Sequence, residues 1–295
     1  MNAKERGLLL LTSQLGDPGR KPLSVPQLRA LASRAVQMKR PDRLRELTVA
    51  DIVALGYDRT MASRIVELLM GERELEWYLR RGQQKSCVPI SRVSDAYPVA
   101  LRQRLGLDAP GCLWAKGDVS LLSTQTVALV GSRDLAEPNR LFAEAVGKEA
   151  ARQGITLVSG NARGADRTAQ QACLNAGGRV ISIIADELEK MPLCKNVLYL
   201  SEDSFDLPFS SQRALSRNRV IHALGYVTIV VQSGMGVGGT WNGTVKNLRQ
   251  NWSPVFCFDD GSPAACELEL LGATLITQEQ ICDMTNLRAN TKRFI

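Results

Sequence analysis

The sequence predicts an α/β protein: an extended Rossmann-like, doubly wound and mainly parallel sheet, with a small helical domain at its N-terminus. Three observations carry that prediction. Beyond residue 120, short β-branched runs alternate with amphipathic stretches, the pattern of buried parallel strands separated by covering helices. Before residue 82, the apolar residues recur only at helical spacing. Several of the later strand-to-helix turns are rich in glycine, serine and arginine, the composition of an anion-binding sheet edge. The expected division is 1–82 for the helical domain and 83–295 for the Rossmann-like unit.

Taken in order, "MNAKERGLLLLTSQLG" reads as an amphipathic helix with Leu8 to Leu11 turned inward. Its apolar block is too short for a signal peptide and lacks a small-residue cleavage site; no run in the chain reaches bilayer length. "SVPQLRALASRAVQMK" supplies Ser24 as an N-cap and Pro26 in the first turn. "TVADIVALGYDRTMASRIVELLMG" reads as two short helices turning at Gly56 and closing at Gly71. That outline is SAM- or helix-hairpin-helix-like, a module that either offers backbone amides to a DNA phosphate or simply packs. The polar "RRGQQKS" ends the helical part, and residues 88–122 form a transition to which no strand is assigned. Strands are then expected at Val127–Val130, Ile155–Val158, Val180–Ile184, Val197–Leu200, Val227–Val231, Pro254–Phe258 and Thr274–Thr277.

Composition narrows the function classes. A chain of 295 residues, 44% hydrophobic and 23% charged, is globular, with room for one large and one smaller domain. A net charge of +7 favours a phosphate-rich partner. Aromatics at only 5% argue against a platform of stacked rings and for contact with a phosphate backbone. The seven cysteines are scattered without a CxxC pair, and His222 is the single histidine, so no metal site is expected. Reduced thiols fit a cytoplasmic protein.

In open parallel sheets ligands gather beyond the carboxyl ends of strands, where strand order reverses. Gly131-Ser132-Arg133 follows the first β-branched strand, and Ser159-Gly160-Asn161-Ala162-Arg163-Gly164-Ala165-Asp166 follows the second. "QSGMGVGGTWNG", with Gly239 and Thr240, follows the strand at 227–231, and "SRNR", Ser216 to Arg219, precedes that strand. Glycines let a backbone approach an anion, helix starts present free N–H groups, and arginine forks match phosphate oxygens. The candidate phosphate-binding residues are therefore Gly131, Ser132, Arg133, Ser159, Gly160, Arg163, Gly164, Asp166, Arg217, Asn218, Arg219, Gly239, Thr240 and Lys246. Asp166 alternatively caps its helix or holds Arg163. Arg217 and Arg219 cannot face the same way on one helix, and Lys246 reaches a phosphate or is merely solvated. His222 reads as a packed helix residue rather than an acid or base. Gly234 to Gly239 satisfies GxGxxG with Asp259 twenty residues on, but on a late strand and in a glycine-dense run, so no dinucleotide cofactor is assigned. No P-loop and no Ser-His-Asp or Cys-His set is present, which favours binding over catalysis.

These motifs resemble one family. "VALVGSR", "LVSGNARGADRTAQQACLNAGG", "VLYLSE" and "SRNRVIHAL" occur in the order seen in the DNA-processing protein A family (DprA, also called Smf), after a lead-in "SDAYPVALRQRLGLDAPGCLWAKGD". The resemblance covers roughly residues 88 to 285. It implies an extended Rossmann domain that binds single-stranded DNA without sequence preference, protects the strand and assists loading of a RecA-type recombinase in DNA uptake or recombination. It also implies a homodimer, no enzymatic activity and no cofactor. There are departures: Gln170 stands where the family has His, Ala214-Leu215 where it has Phe-Pro, and no winged helix follows. The glycine loop is closer to that of LOG-type phosphoribohydrolases, so a nucleotide-binding sensor or hydrolase is the rival reading, although no Glu follows Gly239-Thr240. A DprA-like component of a defence system is a further alternative.

Overall fold

The computed structural model describes residues 1–36, 47–202 and 204–287. Residues 37–39 of the expected second helix, and 288–295 of the expected 83–295 unit, lie outside them.

The N-terminal region is helical: α1 (Ala3–Thr12), α2 (Val25–Ala35), α3 (Val49–Ala54), α4 (Arg59–Leu69) and α5 (Glu72–Gln84). Local chemistry starts several of them. Asn2 and Glu5 exchange side-chain and backbone bonds at the head of α1, Thr48 and Asp51 do so at α3, and Asp58 caps α4. The expected turn at Gly56 is present, with φ +83°. Leu11, Leu28, Ile52, Ala62 and Ile65 form a cluster inside this region.

The remainder is one sheet with helices on both faces. Along the chain come β1 (Val88–Ser91), α6 (Val99–Leu105), β2 (Cys112–Gly117), β3 (Thr126–Val130), α7 (Glu137–Arg152), β4 (Thr156–Ser159), α8 (Ala165–Asn175), β5 (Arg179–Ile183) and β6 (Val197–Ser201). There follow α9 (Ser211–Leu224), β7 (Thr228–Val230), α10 (Gly238–Gln250), β8 (Val255–Phe258), α11 (Pro263–Leu270) and β9 (Thr274–Ile276). The strand order is β1-β2-β6-β5-β4-β3-β7-β8-β9. Pairing is parallel from β6 to β9 and antiparallel for β1-β2 and β2-β6. The transition segment thus holds two strands that the sequence reading left out.

Successive strand residues serve opposite cores, as the two-residue period of a strand requires. Val127 and Leu129 pack with Phe142, Val146 and Ala169 from α7 and α8. Ala128 and Val130 pack on the other face with Leu101 of α6, Val220 and Leu224 of α9, and Leu268 of α11. The strands are therefore continuously apolar, which is why they were visible in the sequence. The helical region docks on the antiparallel edge through Leu9, Leu75 and Tyr78, which meet Trp114 and Phe205. Among the described residues no helix is long and apolar enough to cross a membrane.

Candidate functional site

Chain order places the ligand site. From β3 the chain builds outward through β4, β5 and β6, then returns to the other side of β3 with β7, β8 and β9. The reversal lies between β3 and β7, and the loops leaving those strands must diverge to opposite faces, opening a crevice.

The crevice loops are tied together at their bases. Ser132 N donates to Gln232 O (3.0 Å), Ala165 N to Ser132 O (3.1 Å), and Thr240 Oγ1 to Gly131 O (2.9 Å). Gly164 makes the closest crossing. It has φ +82°, and a Cβ there would sit 2.4 Å from the carbonyl oxygens of both Ser132 and Arg133. Gly160 is required for a different reason: its missing side chain leaves the space that the Arg217 guanidinium fills, with Nη2 donating to Gly160 O at 2.9 Å.

Two adjoining chambers result. The outer one, of about 420 Å³, is walled by Arg133, Arg163, Arg167 and Arg217, with Phe209, Met191 and Ile184 opposite and Asp186 as its acid. The inner one, of about 630 Å³, is lined by Ser132, Asp166, Asn218, His222 and the glycine loop with Gly239 and Thr240. Arg133, Ala162, Ala214 and Arg217 belong to both.

Burial sets the charges. Asp166 accepts from Gly160 N and Ala162 N, both at 3.1 Å, so it pins the β4 turn rather than holding Arg163. Its desolvation pushes the carboxyl above its usual range, opposed first by the charge of Arg217 and then by those two amides. Burial likewise lowers Arg217, against the pull of Asp166, but a guanidinium keeps its proton. Among the described residues, Arg217 Nε is buried without a hydrogen-bond partner. Arg163 pairs instead with Asp134 (2.5 Å), and at 73% and 87% exposure that pair is weak enough to exchange for a phosphate.

The structure brings Gly131, Ser132, Arg133, Gly160, Arg163, Asp166, Arg217, Asn218, Gly239 and Thr240 to one crevice. Four expected residues stand elsewhere. Ser159 is fully buried and its Oγ accepts from Gln170 Nε2 at 2.5 Å, so its hydroxyl faces the core. Gly164 shapes the turn without lining either chamber. Arg219, two positions beyond Arg217 and hence on the far side of α9, is held by a buried bidentate pair with Glu202 (2.8 and 3.0 Å). It lines a separate cavity of about 320 Å³ beside the helical region. Lys246 lies over the Trp252 ring, 5.7 Å from its centroid. Conversely, Arg167 and Phe209 line the outer chamber and escaped the sequence reading. Arg167 stands four residues past Arg163, in the first turn of α8, which was the available signal; Phe209, in an irregular loop, offered none.

The sequence pattern described as DNA recombination-mediator protein A matches residues 89–280. The chain belongs to that family. It is 32% identical over 163 residues to the DNA processing protein DprA of Bacillus subtilis, which spans 52% of this chain and 54% of the relative. Against the protein Smf of Escherichia coli it is 30% identical over 207 residues, or 63% of this chain and 53% of that one. The chain thus spans about half the length of these two relatives. The solved DprA of Streptococcus pneumoniae superimposes with a TM-score of 0.70 over 95% of this chain and 96% of its own, at 23% identity. DprA of Helicobacter pylori, solved for its single-stranded DNA binding mode, gives 0.57 over 69% and 96%, at 24% identity. At these identities the structural likeness is one of fold. The motif resemblance and the family match coincide over nearly the same residues.

Proposed function

We propose that this DprA-family chain binds single-stranded DNA without sequence preference, seating the phosphate backbone in the outer chamber. The observation that carries the reading is the convergence of Arg133, Arg163, Arg167 and Arg217 on one crevice at the strand-order reversal. Their forks suit phosphate oxygens, and a cleft that grips phosphates reads no bases. The ligand class follows from the family and from the relative solved for its strand-binding mode. On the same footing we assign strand protection, assistance to a RecA-type recombinase, a homodimeric state, a cytoplasmic location and a binding rather than enzymatic role. Residues 1–82 are taken as a helical domain docked on the 83–295 unit.

A salt titration tests the reading. Each phosphate neutralised on a single strand contributes about −0.7 to the slope of log affinity against log salt. Four arginine contacts give about −3. The expected result is that slope for a single-stranded oligonucleotide of any sequence, with weaker retention of the duplex. A slope near −1, or displacement by a mononucleotide at concentrations that match the strand, overturns it.

A further inference from the structure

The inner chamber has a floor that backbone binding does not use. His222 is 1% exposed, yet it belongs to the chamber wall. One edge of its ring is locked into the core. Ser253 N donates to Asn247 Oδ1 (3.0 Å), which fixes the Asn247 amide with Nδ2 toward the imidazole, 3.3 Å from His222 Nδ1. Thr228 Oγ1 lies 3.2 Å from the same nitrogen and 2.8 Å from Ser253 Oγ. Nδ1 therefore accepts, and the ring proton resides on Nε2. Burial, aided by the nearby charge of Arg217, pushes the imidazole down to about 3, so it is neutral.

Among the described residues Nε2–H has no hydrogen-bond partner. It faces a gap that a glycine keeps open: a Cβ on Gly243 would stand 3.2 Å from His222 Nε2 and 3.3 Å from Asn218 Nδ2. Above this floor Leu215 and Val237, 54% and 67% exposed, add aliphatic surface to a lining that is otherwise largely polar. At the mouth, Arg133 and Arg217 are shared with the outer chamber. A flat group with an acceptor on its edge, attached to a phosphate held by those arginines, matches this arrangement.

We propose that the inner chamber receives one base of the bound strand, its faces against Leu215 and Val237 and an edge acceptor taking the hydrogen bond from His222 Nε2–H. The inference rests on the strand-binding reading and adds a base subsite to it. Thymine, cytosine and guanine offer a carbonyl, and adenine a ring nitrogen, so a single neutral donor accepts any of them. The subsite therefore holds a base without selecting its identity.

The test compares an oligothymidine with a fully abasic strand of equal length, using the full chain. Wild-type protein is expected to prefer the oligothymidine about five-fold or more, the worth of one hydrogen bond. His222→Phe removes the donor. Gly243→Ala is the safer variant, because its methyl presses into the gap from a helical position where alanine is favoured. Both are expected to shrink the preference toward unity while leaving affinity for the abasic strand unchanged. Arg133→Ala is expected to weaken both strands alike, about ten-fold. An unaltered preference in Gly243→Ala with an unaltered melting temperature overturns the base subsite and leaves the backbone grip standing. Failure of the wild type to retain either strand at low salt overturns the strand-binding reading and the subsite with it. Displacement of the strand by free thymidine monophosphate at comparable concentration assigns the chamber to a free nucleotide, which also overturns the proposal.

Discussion

Arg217 and His222 lie on the same helix, α9, and both are withdrawn from solvent, with opposite consequences for charge. The guanidinium cannot give up its proton, so its cost is met by Gly160 O and by the field of Asp166. The imidazole sheds its proton and becomes a neutral donor. That difference has a measurable effect on stability. Folding lowers the pKa of His222 from 6.5 to about 3, so the unfolded chain takes up the proton first as pH falls. Its contribution is complete above pH 6.5 and is lost as pH descends toward 3, at about 1.4 kcal/mol per unit. Asp166 acts in the opposite sense: its raised carboxyl binds a proton more readily when folded, and what that contributes is lost as pH rises. The two partly mask each other in a simple pH profile, so a variant is needed. The melting temperature of wild-type protein should exceed that of His222→Gln at pH 7, and the gap should narrow steadily toward pH 4. A gap that does not change with pH would mean that folding leaves the imidazole pKa unshifted.

Elements meet at the crevice at very close backbone approaches, and Gly164 is where that matters most. Its φ of +82° and the 2.4 Å approach to Ser132 O and Arg133 O leave no room for a methyl without separating the β3 and β4 loops. Gly164→Ala should cost about 1–3 kcal/mol from the backbone conformation alone. By thermal melting that is a fall of several degrees, accompanied by loss of strand affinity because Arg133 and Arg163 move apart. Retained affinity at a lowered melting temperature would show that the two loops bind independently. This crossing also marks how far the sequence could be read. β3 to β8 were legible because each is largely buried on both faces and so mostly apolar, while the edge strand β9, half-buried at Thr274 and Leu275, was legible from its β-branched residues. β1 and β2 were not, because Val88-Pro89-Ile90-Ser91 carries a proline and Cys112 to Gly117 lacks a β-branched run. The arginine and glycine turns were legible as a site because parallel topology sends every such loop to one edge. The separation of Arg217 from Arg219 was foreseeable from helical geometry, but which of them turns inward depends on Glu202, which no spacing rule connects to α9. Ser159 was misplaced because a hydroxyl at a strand end serves core and crevice equally well on paper; Gln170 decides it.

For the whole molecule the open question of mechanics is how firmly the helical region is held to the sheet. It has its own small cluster around Ile52, Ala62 and Ile65, and a second attachment in which Tyr78 stacks on Phe205 (centroids 4.4 Å apart) and meets Trp114 edge-on at 5.3 Å. Arg81 adds an ion pair to Asp206 at 2.7 Å, and the Tyr78 hydroxyl donates to the same carboxylate at 2.5 Å. Trp114 lies on β2, the antiparallel strand next to β6, so the attachment bears chiefly on that sheet edge and reaches the crevice only through Ile184 and Met191, which its cluster shares with the apolar wall of the outer chamber. Removing the indole should open a cavity worth about 3–5 kcal/mol at that edge. In Trp114→Ala, hydrogen exchange should accelerate first in α1, α5 and β2, while the amides of β3, β4 and α8 keep their protection and strand affinity stays within about two-fold. Such a pattern identifies a docked domain whose loosening leaves the crevice intact. Uniform acceleration through β3 and β4 would instead make the helical region and the sheet a single cooperative unit, with the crevice dependent on it.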